Sequence, residues 1–379
     1  MTFGLGWLDR IAHRSARRHT LATFEAFSGG AHRTGTAGAG VLLVSSLLLY
    51  GLMLALLATG IWLCTISVPG VVAGLLVIGI AVLLRPRFGR VPKYATEVTA
   101  SAAPQLHALV REAATAVGAP VPRIYVEGDA FDAAAGMVGL RRRPVLVLGL
   151  PLWNALPRQS RMALLGHELG HFVNGDPRRR LLTQPSLTSL AELDALLEPE
   201  SARETAGWTE GFLVMWVVRP LLNLVKLLLR ALLWAPRTAL AVLVLREGQR
   251  AEYRADLVAA RMAGRAAAVD LFDTLVVMDS LAMLIMRDAR AGRPVAEWPQ
   301  TTLQLLAEVR PQLAVRREAA TLRETTLFAS HPPSGLRARL IEATAGESAA
   351  VVLDPARNER IDAELAKYSA SSARTLRAL

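Results

Sequence analysis

The amino-acid sequence predicts a predominantly α integral membrane protein, in which an α-helical transmembrane hairpin precedes an α+β domain with a small β-sheet. Two observations lead to this prediction. No charged residue occurs from Thr34 to Leu84, which leaves room for two apolar helices of about 20 residues and a turn between them. Beyond this run, short β-branched segments lie among long stretches with helical periodicity.

The composition supports a membrane protein with a soluble portion. Hydrophobic residues make up 52% of the chain, and the mean hydropathy is positive. The net charge of +11 could serve nucleic acid or an anionic lipid leaflet. Nucleic-acid binding needs a basic patch with interleaved aromatic residues, which the sequence does not show, so we favour basic residues that face lipid. Cys64 is the single cysteine, which excludes a disulfide within the chain and a cysteine-rich zinc site. Any metal must be held by histidines and carboxylates.

The predicted hairpin, residues 37–84, consists of spans at Val41–Leu63 and Val68–Leu84. The basic segment 1–36 precedes it, and Arg85 begins a second basic segment directly after it. The turn between the two spans carries no charge, so the positive-inside rule places both flanks, and the domain that follows, in the cytoplasm. No short apolar core with a cleavage site precedes Val41, and we expect the first span to be an uncleaved anchor.

The second predicted domain covers residues 95–379. We expect a helix over 95–119 that Gly118 and Pro120 end. Strands are predicted at Val121–Gly128, Ala133–Leu140 and Val145–Leu150, the last two around a basic turn. Helical patterns dominate from Leu156 onward; they include an apolar helix at Ala266–Ala289 and an amphipathic tail after Asp354.

An insertion at about 207–245 interrupts this domain. Its segment Gly211–Leu245 is apolar, yet four basic residues fall on one helical stripe: Arg219, Lys226, Arg230 and Arg237. Charges inside hydrocarbon cost at least ~2.5–3.5 kcal/mol each. We therefore favour amphipathic helices that lie on the membrane surface. Two further spans whose stripe faces a polar cavity stay open as the alternative.

The stretch "GHELGH" carries the chemistry of the chain. Its residues His167 and His171 are four apart, which puts both imidazoles on one face of a helix. Zinc binds neutral imidazole and carboxylate ligands. Glu168 is placed to take a proton from the attacking water and to give it to the leaving amine. A buried helix with two satisfied histidines is the alternative, and a third ligand decides between them.

Two glutamates compete for the third ligand position. Glu192 follows His171 by a loop-and-helix distance typical of compact zinc proteases, whereas Glu252 lies much further along the chain. Asp256 follows Glu252 by one helical turn and could orient a ligand histidine through a hydrogen bond. Glu192 has no such partner, so we take Glu252 as the ligand. A surface glutamate paired with an arginine is the alternative for Glu252, but it leaves Asp256 without a role.

These motifs resemble those of the membrane-bound zinc metallopeptidase family that includes the heat-shock protease HtpX and the CaaX prenyl endopeptidases. "HELGHFVNGD" (His167–Asp176) is similar to the family's His-Glu-x-x-His motif with its later aspartate, and "EYRAD" (Glu252–Asp256) to its Glu-x-x-x-Asp helix. "GAPVPRIYV" and "SHPPSGLR" resemble its strand before the site and its histidine-proline segment, and these blocks are spread over Gly118–Arg337.

The resemblance implies a zincin-like endopeptidase domain of the gluzincin type in a multi-pass protein of a bacterial plasma membrane. It implies one zinc ion per chain on His167, His171 and Glu252, with Glu168 as general base. Asp176 and Asp256 would support the ligands. By the resemblance alone, His331 and Arg337 help to hold the tetrahedral oxyanion. The partners are then a polypeptide substrate and the lipid bilayer.

Asp132 departs from the family pattern. The family has Asn-Ala in the edge strand that pairs with substrate, and this chain has "FDAAAGMVG" at that place. A strand with small side chains still offers main-chain hydrogen bonds to an extended peptide, but the preference of the cleft does not carry over from relatives. A catalytically silent membrane adaptor and a CaaX-type processing protease are the alternative functions. A silent adaptor is expected to have lost a ligand or the base, and none is lost here.

Overall fold

The computed structural model describes residues 6–30, 36–83, 85, 90–139, 141–174, 219–326, 331–344, 346 and 348–378. Two compact units divide the chain. The first comprises the described parts of Met1–Thr34, Phe88–Arg179 and Gly248–Leu379, and the second comprises those of Gly35–Arg87 and Arg180–Glu247. The fold is mostly helical with one small mixed sheet, as the sequence predicts.

The second unit contains the apolar helices α2 (Thr36–Cys64) and α3 (Val68–Leu83). They pack closely because glycines face each other: a Cβ on Gly60 would lie 2.9 Å from the carbonyl oxygen of Gly74. One described helix, Leu43–Cys64, is long and apolar enough to cross a membrane, and the apolar helix Val68–Val82 is shorter. Of the two predicted spans, only the first therefore meets the length of a span.

The first unit begins with helix α1 (Gly6–Ser28). The inner face of α1 is buried at Ala16, Thr20, Thr23 and Phe27, which recur at helical spacing. The Phe27 ring packs 5.4 Å from the ring of Tyr253, next to the predicted ligand Glu252. The predicted basic N-terminal segment is therefore built into the unit that carries the metal motif.

The four-stranded sheet of the first unit has the order β1-β2-β4-β3. Its strands are β1 (Thr96–Val98), β2 (Arg123–Glu127), β3 (Ala133–Val138) and β4 (Arg143–Gly149). β2 and β4 are parallel, whereas β1 and β3 pair antiparallel with their neighbours. The three predicted strands are confirmed within two residues at each end. β-branched residues carry a local signal in β2 and β4, whereas β3 consists mainly of alanine and glycine.

The helices of the first unit cover the sheet and extend into a second apolar cluster. In chain order they are α4 (Pro104–Val117), α5 (Leu150–Ala155), α6 (Arg158–Val173), α7 (Arg219–Ala263), α8 (Arg265–Val276), α9 (Met278–Arg290), α10 (Trp298–Val309), α11 (Leu313–Glu324), α12 (Ser334–Ala343) and α13 (Pro355–Ala378). The part of α7 from Gly248 onward belongs to the first unit. Short 3-10 turns at Val295–Glu297 and Arg310–Gln312 flank α10.

Two predicted boundaries are wrong. The helix expected over 95–119 begins at Pro104, because Thr96–Val98 pairs with β2 instead. Proline fits the first turn of a helix, where its missing N–H costs nothing, and the Glu364 carboxylate accepts the N–H groups of the two following residues. The helix expected over 266–289 is divided at Val277 into α8 and α9, which serve different apolar clusters.

Candidate metal centre

Helix α6 presents the motif GHELGH from a buried position. Its residues from Ser160 to Phe172 are all buried, so polar side chains on it need partners inside the protein. The helix carries glycines at Gly166 and Gly170, one turn apart. A Cβ on Gly166 would lie 2.9 Å from the Cα of Ala259, and a Cβ on Gly170 would lie 2.9 Å from the Cα of Ala255.

These glycines explain how α6 reaches α7. Since no side chain stands between the two backbones, the histidine motif comes within contact distance of Glu252 on α7. This role of Gly166 and Gly170 was not predicted from the sequence. The available signal was a pair of glycines at helical spacing that matches the spacing of Ala255 and Ala259 on the other helix.

The Glu252 carboxylate is the centre of the site. Its side chain is 1% exposed, and imidazoles from one helix and one loop surround it. The Oε2 atom lies 3.4 Å from Nε2 of His167 and accepts a hydrogen bond of 2.6 Å from Nδ1 of His331. The Oε1 atom lies 3.5 Å from Nε2 of His171. The structure thus brings all three predicted ligands together.

The predicted triad of ligands differs in one histidine from the triad whose ligand atoms lie close together. The predicted triad contains His171, whereas the described atoms that lie within 4.8 Å of one another belong to His167, Glu252 and His331. The His167 and His171 rings are fixed on one helix with their centroids 4.8 Å apart. His331 lies on a loop, and its side chain is 37% exposed. Glu252 and His167 belong to both triads.

Asp256 orients His167. Its Oδ1 atom lies 2.9 Å from Nδ1 of His167, which leaves Nε2 of that ring directed at Glu252. Metal-binding histidines commonly donate their second nitrogen to a carboxylate in this way. The spacing of Glu252 and Asp256 predicts a contact between Asp256 and a ligand histidine, and His167 is the histidine within reach.

Arg337 lies behind this pair. Its guanidinium forms two hydrogen bonds to Asp256, of 2.7 Å through Nη2 and 3.0 Å through Nε. Nη2 also lies 3.1 Å from Nδ1 of His167, and the guanidinium stacks 4.5 Å from the centroid of the Phe272 ring. Arg337 is buried, and besides Asp256 its charge interacts with the carboxylates of Glu252 and Glu168.

The electrostatics favour an ionised site. Burial raises the pKa of Asp256, but the Arg337 charge and the hydrogen bond from His167 outweigh burial and lower that pKa. Burial also raises the pKa of Glu252, and the contacts with His167, His171 and His331 bring it well below its ordinary value. Burial and the Arg337 charge lower the pKa of His167, whereas its hydrogen bonds to Asp256 and Glu252 raise it to about 9 overall.

Glu168 is a buried carboxylate whose charge interacts with the buried guanidinium of Arg337. It is 4% exposed, and among the described residues no donor lies within hydrogen-bonding distance of it. It follows His167 directly on α6, so its position relative to the cluster is fixed by the helix. A carboxylate that accepts no hydrogen bond from the described residues keeps its oxygens for a water molecule or substrate.

The loop that carries His331 is held in place from two sides. Glu324, at the end of α11, accepts a hydrogen bond of 2.7 Å from the backbone N–H of Ser334 at the start of α12. Gly335 packs against the carbonyl oxygen of Arg317, where a side chain would overlap it. The Arg317 guanidinium pairs with Asp273 at 2.7 Å and with Glu342 at 2.8 Å. The His331–Arg337 segment is therefore fixed against α8 and α11.

Two predicted positions fall outside the described residues. These are Asp176, predicted to support the ligands, and Glu192, the competing third ligand. The other predicted residues of the site, His167, Glu168, His171, Glu252, Asp256, His331 and Arg337, all lie in the first unit, on α6, on α7 and around the start of α12.

The residues present suit zinc. Two imidazoles on one helix and a buried carboxylate on another make a mixed nitrogen and oxygen donor set, which is the set of a catalytic zinc site with one open position. The Asp256 contact adds the outer support that such sites use. A buried acid among three histidines is costly without a counter-charge, so the cluster fits a cation.

The sequence matches a family model described as peptidase family M48 over residues 100–345. This stretch contains strands β2, β3 and β4 of the sheet, α6 with its motif, α7 and the His331–Arg337 segment. No solved structure matches the chain.

Proposed function

The chain belongs to peptidase family M48, a zinc metallopeptidase family, and from this membership we propose that it is a membrane-bound zinc endopeptidase. Its zinc ligands are His167, His171 and Glu252. The observation that carries the proposal is the buried Glu252 carboxylate, which has both motif imidazoles within 3.5 Å.

We assign the second imidazole ligand to His171 rather than His331. The spacing on α6 holds His167 and His171 on one face whatever the loops do. His331 is partly exposed and lies in the fixed His331–Arg337 segment, where its ring can face a substrate as well as Glu252. The distance of 2.6 Å between His331 and Glu252 shows that His331 reaches the centre without a change in the helices.

The protein side chains divide the reaction between them. Zinc, when bound, activates water and polarises the substrate carbonyl as a Lewis acid. Glu168 accepts a proton from the attacking water and delivers it to the leaving amine. His331 donates a hydrogen bond to the carbonyl oxygen as negative charge develops there. Arg337 adds positive charge behind the site while it holds Asp256, and through it the His167 ring.

The substrate is an extended polypeptide in or beside a membrane. The helix Leu43–Cys64 is apolar along its length, and only 6% of the residues in its most apolar window are buried. Large side chains such as Leu48, Trp62 and Leu76 are more than 60% exposed, a pattern expected of lipid contact. We propose a hairpin anchor with the catalytic unit in the cytoplasm and unfolded or membrane proteins as substrates.

Zinc content and activity together test this function. We expect the full chain, purified in detergent, to contain one zinc ion and to cleave an unfolded model protein. A chelator should abolish cleavage, and stoichiometric zinc should restore it. Zinc well below one per chain, or cleavage that survives complete removal of metal, would contradict the proposal and favour a silent adaptor.

The affinity for zinc is expected to rise with pH up to about 9. Zinc needs neutral imidazole, so binding must release the proton that His167 holds with a pKa of about 9. The apparent affinity should therefore increase about tenfold per pH unit from 6.5 to 9 and then level off. Titration against a zinc-buffering chelator across this range measures the effect.

The metal-free chain should show the opposite trend. A histidine whose pKa is raised on folding stabilises the fold fully below its ordinary pKa of 6.5, and this contribution is lost as the pH rises through about 9. The loss is about 3 kcal/mol of unfolding free energy. The control is His107→Gln. It removes a histidine that is far from Glu252 in the sequence and contacts the Val98 carbonyl, and it should leave this pH dependence unchanged. A zinc affinity that is flat above pH 7 would contradict the predicted rise of affinity with pH.

A further inference from the structure

Strand β3 lies at the edge of the sheet formed by the described residues, and it packs against α6. The Gly149 N–H donates to the Asp132 carbonyl at 2.9 Å, and the register then pairs Ala134 with Val147. In an antiparallel ladder these pairs alternate with pairs whose backbone groups point away from the neighbour. The backbone groups of Ala133, Ala135 and Met137 therefore face the open edge.

The first of these outward donors is already occupied. The Ala133 N–H donates to the Oδ1 atom of Asp132 at 2.8 Å. Gly149 holds this corner in place, because a Cβ there would overlap the carbonyl oxygens of Ala130 and Asp132. The Asp132 side chain is exposed, so its carboxylate closes the start of the edge and faces solvent.

An extended peptide that adds to this edge pairs with the carbonyl of Ala133 and with both groups of Ala135 and Met137. Its next residue at the Asp132 end then lies beside a carboxylate. An ionised carboxylate only accepts hydrogen bonds, whereas an asparagine amide also donates them. A peptide carbonyl is unfavourable at this place, and a cationic side chain is favourable.

The charges along the edge differ between its two ends. Asp132 stands before β3, while the turn after β3 carries Arg141 and Arg142, and Arg143 begins β4. Arg141 and Arg143 are exposed. A basic substrate residue is therefore favoured at one end of the bound peptide and disfavoured at the other.

We propose that Asp132 is a specificity-determining residue that selects a lysine or arginine in the substrate, at the position next to the residue that pairs with Ala133. This inference rests on the proposed peptidase function. It requires the edge strand to bind substrate beside the metal centre, which the packing of β3 against α6 supports.

The test moves a single lysine through every position of a neutral peptide that the full-length enzyme cleaves. A second peptide set carries norleucine, which has a similar length and no charge. At low salt we expect lysine to raise kcat/KM about two- to fivefold at one position, the range of an exposed ion pair. High salt should reduce this ratio because it screens exposed charges.

Two variants with one charge removed locate the effect. Asp132→Asn keeps an oxygen that can accept the Ala133 N–H, and it should bring the lysine-to-norleucine ratio to about one. Asp129→Asn removes an exposed carboxylate three residues earlier in the same loop and should keep the ratio of the natural chain.

A ratio that survives in Asp132→Asn, or that Asp129→Asn abolishes equally, would overturn the inference. Cleavage with no lysine preference at any position would overturn it as well and leave the peptidase function standing. If no peptide or unfolded protein is cleaved by the zinc-loaded chain, the proposed function fails and this inference fails with it.

Discussion

The variant Glu168→Gln is expected to bind zinc as well as the natural chain and to lose peptide cleavage by about a hundredfold or more. Glutamine keeps the size of the buried side chain but accepts no proton at neutral pH. General acid-base groups contribute roughly 10²–10⁴-fold to rate. Glu168 is the carboxylate that follows His167 on α6, and no described donor competes for it.

Zinc analysis and cleavage of one unfolded substrate, measured on the same sample, give the result. The control Glu308→Gln removes an exposed carboxylate on α10 and should leave both values unchanged. Normal cleavage by Glu168→Gln would remove Glu168 from the mechanism. Loss of zinc together with activity would instead make Glu168 a structural partner of the ligands.

The fate of substrate is a second readout of the same variant. A chain that binds zinc and peptide but does not cleave should retain its substrates through purification. Identification of the bound polypeptides would then show which proteins enter the site. This experiment identifies the substrate class, because the described residues indicate only the chemistry of cleavage and the preference proposed for Asp132 at strand β3.

Local patterns predicted the elements that depend on local energies. The spacing of His167 and His171 on one helical face, and the Glu252–Asp256 pair one turn apart, follow from the helical repeat alone. The strands β2 and β4 follow from their β-branched residues. The described structure agrees with each of these predictions, because neighbours in sequence decide them.

Contacts between distant segments were beyond this kind of prediction. Gly166 and Gly170 matter only because α7 crosses α6 at Ala255 and Ala259, some ninety residues later. His331 and Arg337 were predicted as site residues only from the family resemblance, because a histidine before two prolines by itself indicates a surface loop. The start of α4 at Pro104 depends on the pairing of β1 with β2, which no helical periodicity reports.

The predicted role of Arg337 is refined by its surroundings. The resemblance assigns it to the oxyanion, and that assignment stays a prediction. The observed guanidinium is held by two hydrogen bonds to Asp256 and by the Phe272 ring. Variants of this pair can separate a role in holding His167 from a role at the substrate.

Replacement of Asp256 by alanine is expected to destabilise the metal-free chain by about 3–5 kcal/mol, because it leaves the Arg337 charge buried without its partner. The zinc affinity should fall about 10–100-fold as well, because His167 loses the acceptor that orients its ring. Chemical unfolding of the metal-free chain measures the first effect, and competition with a chelator measures the second.

The double variant Asp256→Ala with Arg337→Met separates the two effects. Removal of both charges should restore most of the unfolding free energy, since replacing a buried ion pair by apolar groups is often neutral. Zinc affinity should stay low, because Nδ1 of His167 still has no carboxylate acceptor. If the double variant also recovers zinc affinity, Asp256 serves only to neutralise Arg337 and does not orient His167. If the double variant recovers neither the unfolding free energy nor the zinc affinity, Asp256 and Arg337 stabilise the site by packing as well as by charge. A single Arg337→Met chain that keeps zinc but loses cleavage would instead place the guanidinium at the oxyanion.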